Sequence, residues 1–320
     1  MSLNNFIPQI WGDTLLAALR ADLVFGNLVN RDYEGEIKAV GDTVRINAIG
    51  DITVSNYTKD TSIGAPQVLT DAQTVLTISQ AKFFNFGIDN VDAAQQKPKV
   101  MSEAMSYAGY KMALAVDNYI AGLYTEASAT NLIGTSGSPI TVTVPTQTNV
   151  GGGTTVYDEL VSLAQFLTQA LIPRQGRFCV IPPWCKTHLT QDIRFTSFNT
   201  PAARESIRQY GFDPAGSDTS GSNDTGQGGP PSDAYLGQID GMAVYESVNA
   251  PHIGGTVGIT GSQDAVIAGH PMAWTFADGY NDVIAYQPPD QFKDAVKGLH
   301  LFGAKVTRPN ALAVAFLQKP

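Results

Sequence analysis

The sequence predicts an α+β fold built from one very long helix, an extended two-stranded loop and a strand-rich second half. The helix is indicated by apolar residues at intervals of three and four over residues 98–127. The loop is indicated by alternating apolar and polar residues over 42–57 and 73–88, and the strand-rich part by five short apolar segments after residue 241. A chain of 320 residues with 43% hydrophobic content lies near the length at which one core divides, so we expect two lobes.

The composition argues against several classes of partner. The net charge is -9, so the chain as a whole has no attraction for nucleic acids or anionic membranes. Two cysteines are too few for a disulfide scaffold. No apolar run approaches the roughly 18 residues of a membrane span, and "MSLNNFIPQIW" lacks the basic and apolar regions of a signal peptide. We therefore expect a soluble protein that is made in a reducing cytoplasm.

The long helical pattern begins after Pro98, which suits a first turn because its missing N–H group needs no partner there. At 1.5 Å per residue the helix would be on the order of 45 Å long. We interpret its methionine-rich stripe as core packing rather than as a cofactor contact. The stripe consists of Met101, Met105, Ala108, Met112, Ala115, Tyr119 and Leu123. A weaker amphipathic pattern over residues 8–30 predicts either a core helix or an arm that docks on a neighbouring molecule.

The extended loop raises the question of what supports it. An isolated two-stranded hairpin is marginally stable in water, so a long one needs a surface to lie on. Its second strand ends in "FFNFGIDNVDAAQ", which places Phe84, Phe86 and Ile88 on one face. That surface belongs either to another copy of the chain or to an ordinary core within the same chain.

The middle of the chain contains a second helix and a long polar segment. The helix is predicted to begin at Val156 and to end before Pro173. We interpret its acidic pair, Asp158 and Glu159, as a solvated start near the positive end of the helix dipole. The apolar strand "GRFCVIPPW" follows. Residues 214–233 contain no apolar residue larger than alanine, which predicts an exposed loop.

The sequence shows no convincing catalytic, cofactor-binding or metal-binding constellation. Cys179 and Cys185 alone would make an incomplete zinc site. No glycine-rich stretch opens a helix after a strand, so phosphate binding is unsupported. No two histidines have the i, i+4 spacing of a helical metal site; they are His188, His252, His270 and His300. We therefore expect no enzyme activity, no cofactor and no metal.

The order of several stretches along the chain is informative about the fold. "VNRDYEGEIKAVGDTVRI" joins the N-terminal segment to the loop; then come the very long helix, "RFCVIPP", "DGMAVYESVNAP" and the closing "LHLFGAKVTRPNALAVAFL". This order resembles the major capsid proteins of tailed bacteriophages, which have the Hong Kong 97 type of fold. The resemblance covers nearly the whole chain as an architecture. One departure is Ala243, which stands where the family often has proline.

The resemblance implies a division of the chain into five parts. These are an N-arm (1–38), an extended loop or E-loop (39–94), a peripheral domain (95–154) with a spine helix (98–127), an apical domain (155–258) and a return to the peripheral sheet (259–320).

The resemblance also implies contacts between subunits, which the sequence assigns to particular residues. The candidates for these contacts are Trp11, Leu15, Tyr57, Lys59, Phe83, Phe84 and Phe86. Gly35, Gly41 and Gly87 are candidate hinges that would let one chain adopt the slightly different poses of pentamers and hexamers. Some family members crosslink a loop lysine to an asparagine on a neighbour, and Lys59 and Asn310 are the pair to consider; the alternative is a solvated lysine and a turn asparagine.

The function implied is that of a major capsid protein, which self-assembles into the icosahedral shell around a double-stranded DNA genome. Its expected partners are other copies of itself, a scaffolding protein, a portal, a decoration protein and packaged DNA that is not bound by sequence. The expected location is the virion, after assembly in the cytoplasm of a host bacterium. We expect the chain to make no contact with a membrane.

Three alternatives stay open at this point. The same fold would serve an encapsulin-type nanocompartment that houses a cargo enzyme. A soluble hydrolase would use His188 with Asp192, which share one helix face. A phage tail or fibre protein would form tubes or trimers rather than closed shells.

Overall fold

The computed structural model describes residues 24–32, 43–49, 54, 56, 59–60, 71–89, 99–144, 154–192, 234–290 and 293–320. The α-helices among them are α1 (Lys99–Gly122), α2 (Val156–Gln169) and α3 (Pro183–Gln191). The strands are β1 (Thr43–Ile49), β2 (Asp71–Thr77), β3 (Gln80–Asp89), β4 (Leu132–Ile133), β5 (Ile140–Thr141), β6 (Phe178–Ile181), β7 (Tyr235–Ile239), β8 (Met242–Glu246), β9 (His252–Gly254), β10 (Gln263–Gly269), β11 (Trp274–Tyr286), β12 (Lys293–Val306) and β13 (Leu312–Gln318). Helices and sheets are mixed along the chain, which confirms the predicted α+β class.

Eight strands form one large mixed sheet. Its order is β4-β13-β10-β6-β8-β7, with β5 beside β13 and β9 beside β10. The central strands β6, β10 and β13 are buried along almost their whole length. Their near-continuous apolar sequences are typical of strands that are covered on both faces. Helices α2 and α3 pack against one of these faces, and Trp274 stacks on Phe178 on the other at 5.6 Å between ring centroids.

The large sheet contains more strands from the C-terminal part of the chain than the sequence predicts. Residues 259–320 were expected to return to the sheet of the long helix, yet only β11 and β12 do so; β10 and β13 join β6 and β8 instead. The physical reason lies in their sequences, "AVIAG" and "LAVAFL", which are apolar at every position and need cover on both faces.

The second sheet has three strands in the order β11-β12-β3 and carries α1 on one face. Met105 and Met112 of α1 are buried there, which confirms that the methionine stripe is core packing. Tyr119 meets Phe302 of β12 edge to face, at 5.5 Å between ring centroids. The α-helix ends at Gly122 and a 3-10 turn continues it to Glu126, so the helical residues fall within the predicted span.

The hairpin of β1 and β2 projects from this three-stranded sheet. Seven antiparallel pairs, from Thr43–Thr77 to Ile49–Asp71, join its strands, as the alternating pattern predicts. The expectation that residues 73–88 form one strand of the loop is wrong for residues 80–88, because β3 begins three residues after β2 ends and pairs with β12 instead of β1. Residues 78 and 79 are thus the junction at which the chain passes from the hairpin into the sheet.

Helix α2 begins with a capping box that the sequence analysis did not identify. The Thr155 side chain accepts the Asp158 N–H, and the Asp158 carboxylate accepts the Thr155 N–H in return. The interpretation of the acidic pair as solvated is wrong for Glu159, which is buried. Burial raises the pKa of Glu159, and the neighbouring Asp158 carboxylate adds to this rise. Capping requires only the first carboxylate of the pair, and the second lies on the helix face that packs on the sheet.

Helix α2 ends in a Schellman motif with leucine at the left-handed position. Leu171 has φ of 59°, the Ile172 N–H donates to the Leu167 carbonyl, and the Leu171 N–H donates to the Thr168 carbonyl. The buried Arg177 guanidinium fixes the chain beyond it through the carbonyls of Ile172 (2.6 Å) and Pro173 (2.9 Å). The helix end is therefore held in one conformation, although its left-handed residue has a side chain.

A buried carboxylate on α1 connects three distant segments. Asp117 Oδ1 accepts the Phe25 N–H at 2.7 Å, and Oδ2 accepts the side-chain amide of Asn249 at 2.7 Å. Burial raises the pKa of Asp117, while the hydrogen bonds from Asn249 and the backbone oppose that rise. Asp117 thus anchors residues 24–32 and the turn after β8 to the long helix.

Replacing Asp117 by alanine should therefore destabilise the folded chain by about 3 kcal/mol, because it leaves the Phe25 N–H and the Asn249 amide without an acceptor. The free energy of unfolding in urea measures this loss. The exposed Asp32 provides the matched control, and Asp32→Ala should change stability by less than about 0.5 kcal/mol. Equal effects of the two substitutions would show that Asp117 is not an anchor.

Replacing Leu171 by glycine should stabilise the chain by about 0.5–1 kcal/mol, because glycine adopts the left-handed conformation without a steric penalty. Gly241→Ala tests the same physics in reverse: its φ is 78° and an added Cβ would meet no atom within 4 Å, so only backbone strain should act. Thermal unfolding should shift upward for the first variant and downward for the second. A loss of stability in Leu171→Gly would mean that the leucine side chain supports the fold of the single chain.

Candidate intersubunit surface

The face of the three-stranded sheet that points away from α1 carries three exposed apolar side chains. Phe83 of β3 lies directly opposite Leu299 of β12, and Ile284 of β11 lies diagonally across from Leu299. Their exposures are 76% for Phe83, 38% for Leu299 and 41% for Ile284. We call these three residues the outer patch. Phe83 and Leu299 are direct neighbours on this face, whereas Asp282 of β11 lies directly opposite Leu299 and Lys297 of β12 lies directly opposite Ile284, so charged residues flank the patch.

Polar side chains border the outer patch on the side away from the hairpin. The Tyr286 hydroxyl donates to Asn85 Oδ1 at 3.1 Å. The Lys297 ammonium lies 5.1 Å from the centroid of the Tyr286 ring, which is a cation–π distance. An apolar centre with a polar border is the usual anatomy of a protein–protein contact.

The other two phenylalanines of this strand point to the opposite face. Phe84 and Phe86 stack on each other at 5.8 Å between ring centroids and pack against the core beneath α1. The Phe84 ring lies over Gly298 of β12, where an added Cβ would collide with it. Among the three phenylalanines predicted to contact another subunit, Phe83 is thus the one whose side chain points to solvent.

The base of the hairpin covers the other end of the same sheet face. Leu76 and Ile78 are buried there against Ala277 of β11 and Leu301 of β12. Leu301 and Leu299 are two residues apart on one strand, so they share a face. Within the described ranges, the hairpin covers one end of this face, and the other end, the outer patch, has no cover.

The remaining predicted residues have varied positions. Lys59 lies in an exposed turn between β1 and β2, and Gly87 lies within the ladder of β3 and β12, opposite Ala295. Asn310 is exposed, and its carbonyl accepts a hydrogen bond from the Asn131 side chain at 2.8 Å. The other predicted residues lie outside the described part of the chain: Trp11, Leu15, Gly35, Gly41 and Tyr57.

The residues proposed for a hydrolase do not form an accessible site. His188 is buried against the edge of Trp184, at 5.6 Å between ring centroids, and burial lowers its pKa. Asp192, the second candidate, is also buried. A general base must reach its substrate within hydrogen-bonding distance, so these enclosed side chains do not suit that chemistry.

One buried polar network was missed by the sequence analysis. Asp264 Oδ2 accepts the Trp184 indole N–H at 2.7 Å and the Ser262 hydroxyl at 2.8 Å, while Oδ1 lies 2.9 Å from His252 Nδ1. The hydrogen bond with Asp264 raises the pKa of His252. The serine bonds to the carboxylate and not to the histidine, so this is no activated nucleophile. These hydrogen bonds connect α3 and β9 to the start of β10.

No group of metal-ligating side chains occurs within the described ranges. Nor does any helix in those ranges have both the length and the apolar character needed to cross a membrane.

Comparison with known proteins identifies the family. The family model described as phage capsid protein matches residues 73–315, which is about three quarters of the chain. The chain therefore belongs to the phage capsid protein family. No match of significance exists among curated protein sequences, so the family model and the fold carry the assignment.

Solved structures support the same conclusion at the level of fold. A chain of Mycobacterium phage Che8 is 23% identical, with 92% of this chain and 91% of that chain covered and a TM-score of 0.65. The capsid of cyanophage P-SCSP1u is 16% identical, with 93% and 88% covered and a TM-score of 0.63. The capsid of Ralstonia phage GP4 is 11% identical, with 93% and 91% covered and a TM-score of 0.64. The predicted Hong Kong 97-like fold is thus confirmed.

The nanocompartment alternative is less well supported. The SrpI encapsulin of Synechococcus elongatus is 12% identical, with 93% of this chain and 88% of that chain covered, and its TM-score is 0.53. The phage capsids above have higher TM-scores, and the family model is that of phage capsids. The protein is a major capsid shell protein, and its role is structural.

The two cysteines, Cys179 and Cys185, should not react with thiol reagents in the folded protein. Both side chains are fully buried, and burial raises the pKa of each thiol, which lowers the fraction of reactive thiolate. Titration with an aromatic disulfide reagent should show no reaction until denaturant is added. Gly137→Cys, at an exposed turn, is the control and should react at once. Rapid reaction of the unmodified chain would contradict the buried placement.

Proposed function

We propose that copies of this chain close an icosahedral shell around the double-stranded DNA genome of a tailed phage, and that a neighbouring copy covers the outer patch. The observation that carries this proposal is the exposure of Phe83, of which 76% is uncovered in a single chain. The family supplies the partner, because its members form shells from many copies of one chain. Covering one phenylalanine side chain contributes about 2 kcal/mol, and a shell repeats that contribution in every copy.

The extended parts of the chain fit this assembly. In the proposed arrangement residues 1–38 are the N-arm, and residues 39–94 are the E-loop, which contains the β1–β2 hairpin. The hairpin lies over an adjacent subunit. The peripheral domain contains α1 and the three-stranded sheet, whose strand β3 comes from the end of the segment 39–94, and the apical domain contains α2, α3 and strands β6 to β9 of the large sheet. Candidate contacts and hinges outside the described residues, such as Trp11 and Gly35, stay predictions within this arrangement.

The electrostatics suit a container for DNA. A chain with 29 acidic and 20 basic residues repels a polyanion over most of its surface, so DNA would be enclosed without being bound by sequence. We further propose that a scaffolding protein, a portal and a decoration protein act on the shell, and that assembly occurs in the cytoplasm of a host bacterium. Lys59 is exposed in a turn between β1 and β2, and Asn310 is exposed in the turn Pro309–Ala311, which fits the alternative of a solvated lysine and a turn asparagine.

Phe83→Asp should prevent shell assembly while leaving the single chain folded. The side chain is mostly exposed, so the substitution should cost the single chain at most about 1 kcal/mol of strand propensity. A carboxylate within an apolar contact between subunits would be desolvated, which is strongly unfavourable. Size-exclusion chromatography and negative-stain microscopy measure assembly, and circular dichroism and urea unfolding measure the fold.

Val257→Asp is the matched control, because Val257 is an apolar residue with 70% exposure that lies away from the outer patch. This variant should form shells like the unmodified chain. The proposal fails if Phe83→Asp also forms normal shells. Phe86→Asp would be a poor substitute, since Phe86 packs against the core of its own chain and its loss would damage the fold.

A further inference from the structure

Two glycines lie directly beneath the junction between the hairpin and the three-stranded sheet. A Cβ atom on Gly303 of β12 would lie 2.5 Å from the Thr77 carbonyl oxygen and 3.0 Å from Ile78 Cα. A Cβ atom on Gly279 of β11 would lie 2.5 Å from Ile78 Cδ1. Atoms do not approach a real Cβ so closely, so the junction backbone can lie this near β12 only because Gly303 lacks a side chain, while Gly279 leaves room for the Ile78 side chain in its present conformation. We call Gly279 and Gly303 the glycine seat.

The glycine seat includes a β-bulge as well as regular strand pairing. The pairing of β11 with β12 shifts between Asp278 and Tyr280, so Gly279 is the extra residue of a bulge. His300 Nε2 on β12 lies 2.7 Å from Asp278 Oδ1, which braces the strand beside the bulge. Ile78 is 2% exposed and fits into the space above Gly279. A bulge held in this way provides a fixed surface for the junction.

We propose that the glycine seat fixes the angle at which the β1–β2 hairpin leaves the sheet, and thereby determines where the hairpin reaches a neighbouring copy. Residues 78 and 79 belong to neither ladder, so backbone pairing does not set that angle. The close contact of Thr77 and Ile78 with the seat is what constrains it. The statement about the neighbouring copy rests on the proposed function, whereas the statement about the angle does not.

The expected size of the effect follows from the geometry. A Cβ on Gly303 must displace the Thr77–Ile78 backbone by about 1 Å to reach ordinary contact. If the displacement acts over the roughly 7 Å between residues 76 and 78, the hairpin tilts by about 8°. Seven strand residues span about 23 Å, so the far end of the hairpin would move by about 3 Å.

Electron–electron resonance between two spin labels on the full chain measures this movement. The labels are attached at Lys59→Cys, between β1 and β2, and at Gly137→Cys, an exposed position on the body. The two native cysteines are buried and stay unlabelled. The distance distribution is recorded on dilute, unassembled protein, with and without Gly303→Ala.

Gly298→Ala is the matched control for Gly303→Ala. Gly298 lies on the same strand and an added Cβ there would also collide, but with the Phe84 ring on the opposite face. We expect Gly303→Ala to shift or broaden the distance distribution by about 3 Å, and Gly298→Ala to leave it unchanged. The proposal is overturned if Gly303→Ala leaves the distribution unchanged, or if both variants change it equally.

A second variant keeps the proposal testable should Gly303→Ala fail to fold. Ile78→Ala adds no atom to the seat but removes the side chain that occupies it, so the distance distribution should broaden. An unchanged distribution in a folded Ile78→Ala chain would overturn the proposal. Microscopy of the same variants distinguishes the claim about the hairpin angle from the claim about the neighbouring copy. If the label distance shifts but the shells keep their diameter, the role of the hairpin in the proposed function is contradicted. The control of the hairpin angle by the glycine seat would still stand.

Discussion

The three-stranded sheet has two faces, and within the described residues a helix covers one of them. Helix α1 covers the first face with its methionine stripe, and the base of the hairpin covers one end of the second. The outer patch at the other end has no cover within the described part of the chain. Contiguous apolar area in contact with water is unfavourable, and a second copy of the chain removes that cost. In the proposed function, assembly covers the apolar side chains that the described residues leave exposed.

An interface of this kind requires that the sheets and helices of each subunit keep their arrangement when two subunits bind. Three buried ionisable side chains provide this rigidity, two by connecting segments that are distant in sequence and one, Arg177, by a local contact. Asp117 anchors residues 24–32 and the turn after β8 to α1, Arg177 holds the end of α2, and Asp264 joins α3 to β9 and β10. Each of them makes several hydrogen bonds, which offsets the cost of burying a charge. Among the described residues, no comparable buried group holds the hairpin beyond its junction, which is why the proposal assigns its direction to the glycine seat.

The large features of this fold could be predicted from the sequence because they depend on local patterns. Intervals of three and four give α1, alternation gives β1 to β3, and the order of the segments gives the Hong Kong 97 type of fold. The division of the C-terminal strands between the two sheets was wrong, although the unbroken apolar run of β13 was a usable signal. Glu159 was misassigned because a carboxylate on the buried face of a helix looks the same in sequence as a solvated one.

The candidate surface could be predicted only in part. Alternation along β3 separates Phe83 from Phe84 and Phe86, but it does not say which face α1 covers. Leu299 and Ile284 join Phe83 through a register that depends on pairing across more than 200 residues. Asp117, Gly279 and Gly303 gave no local signal at all, since the partners of Asp117 are 92 and 132 residues away and those of the two glycines more than 200. Long-range contacts decide these sites, and a single sequence does not display them.

The measurement that tests the central claim most directly is a cryo-electron microscopy reconstruction of the assembled shell at side-chain resolution. The account predicts that the outer patch, formed by Phe83, Ile284 and Leu299, is buried against an adjacent copy of the chain. A shell in which these three side chains face solvent at every subunit position would contradict it.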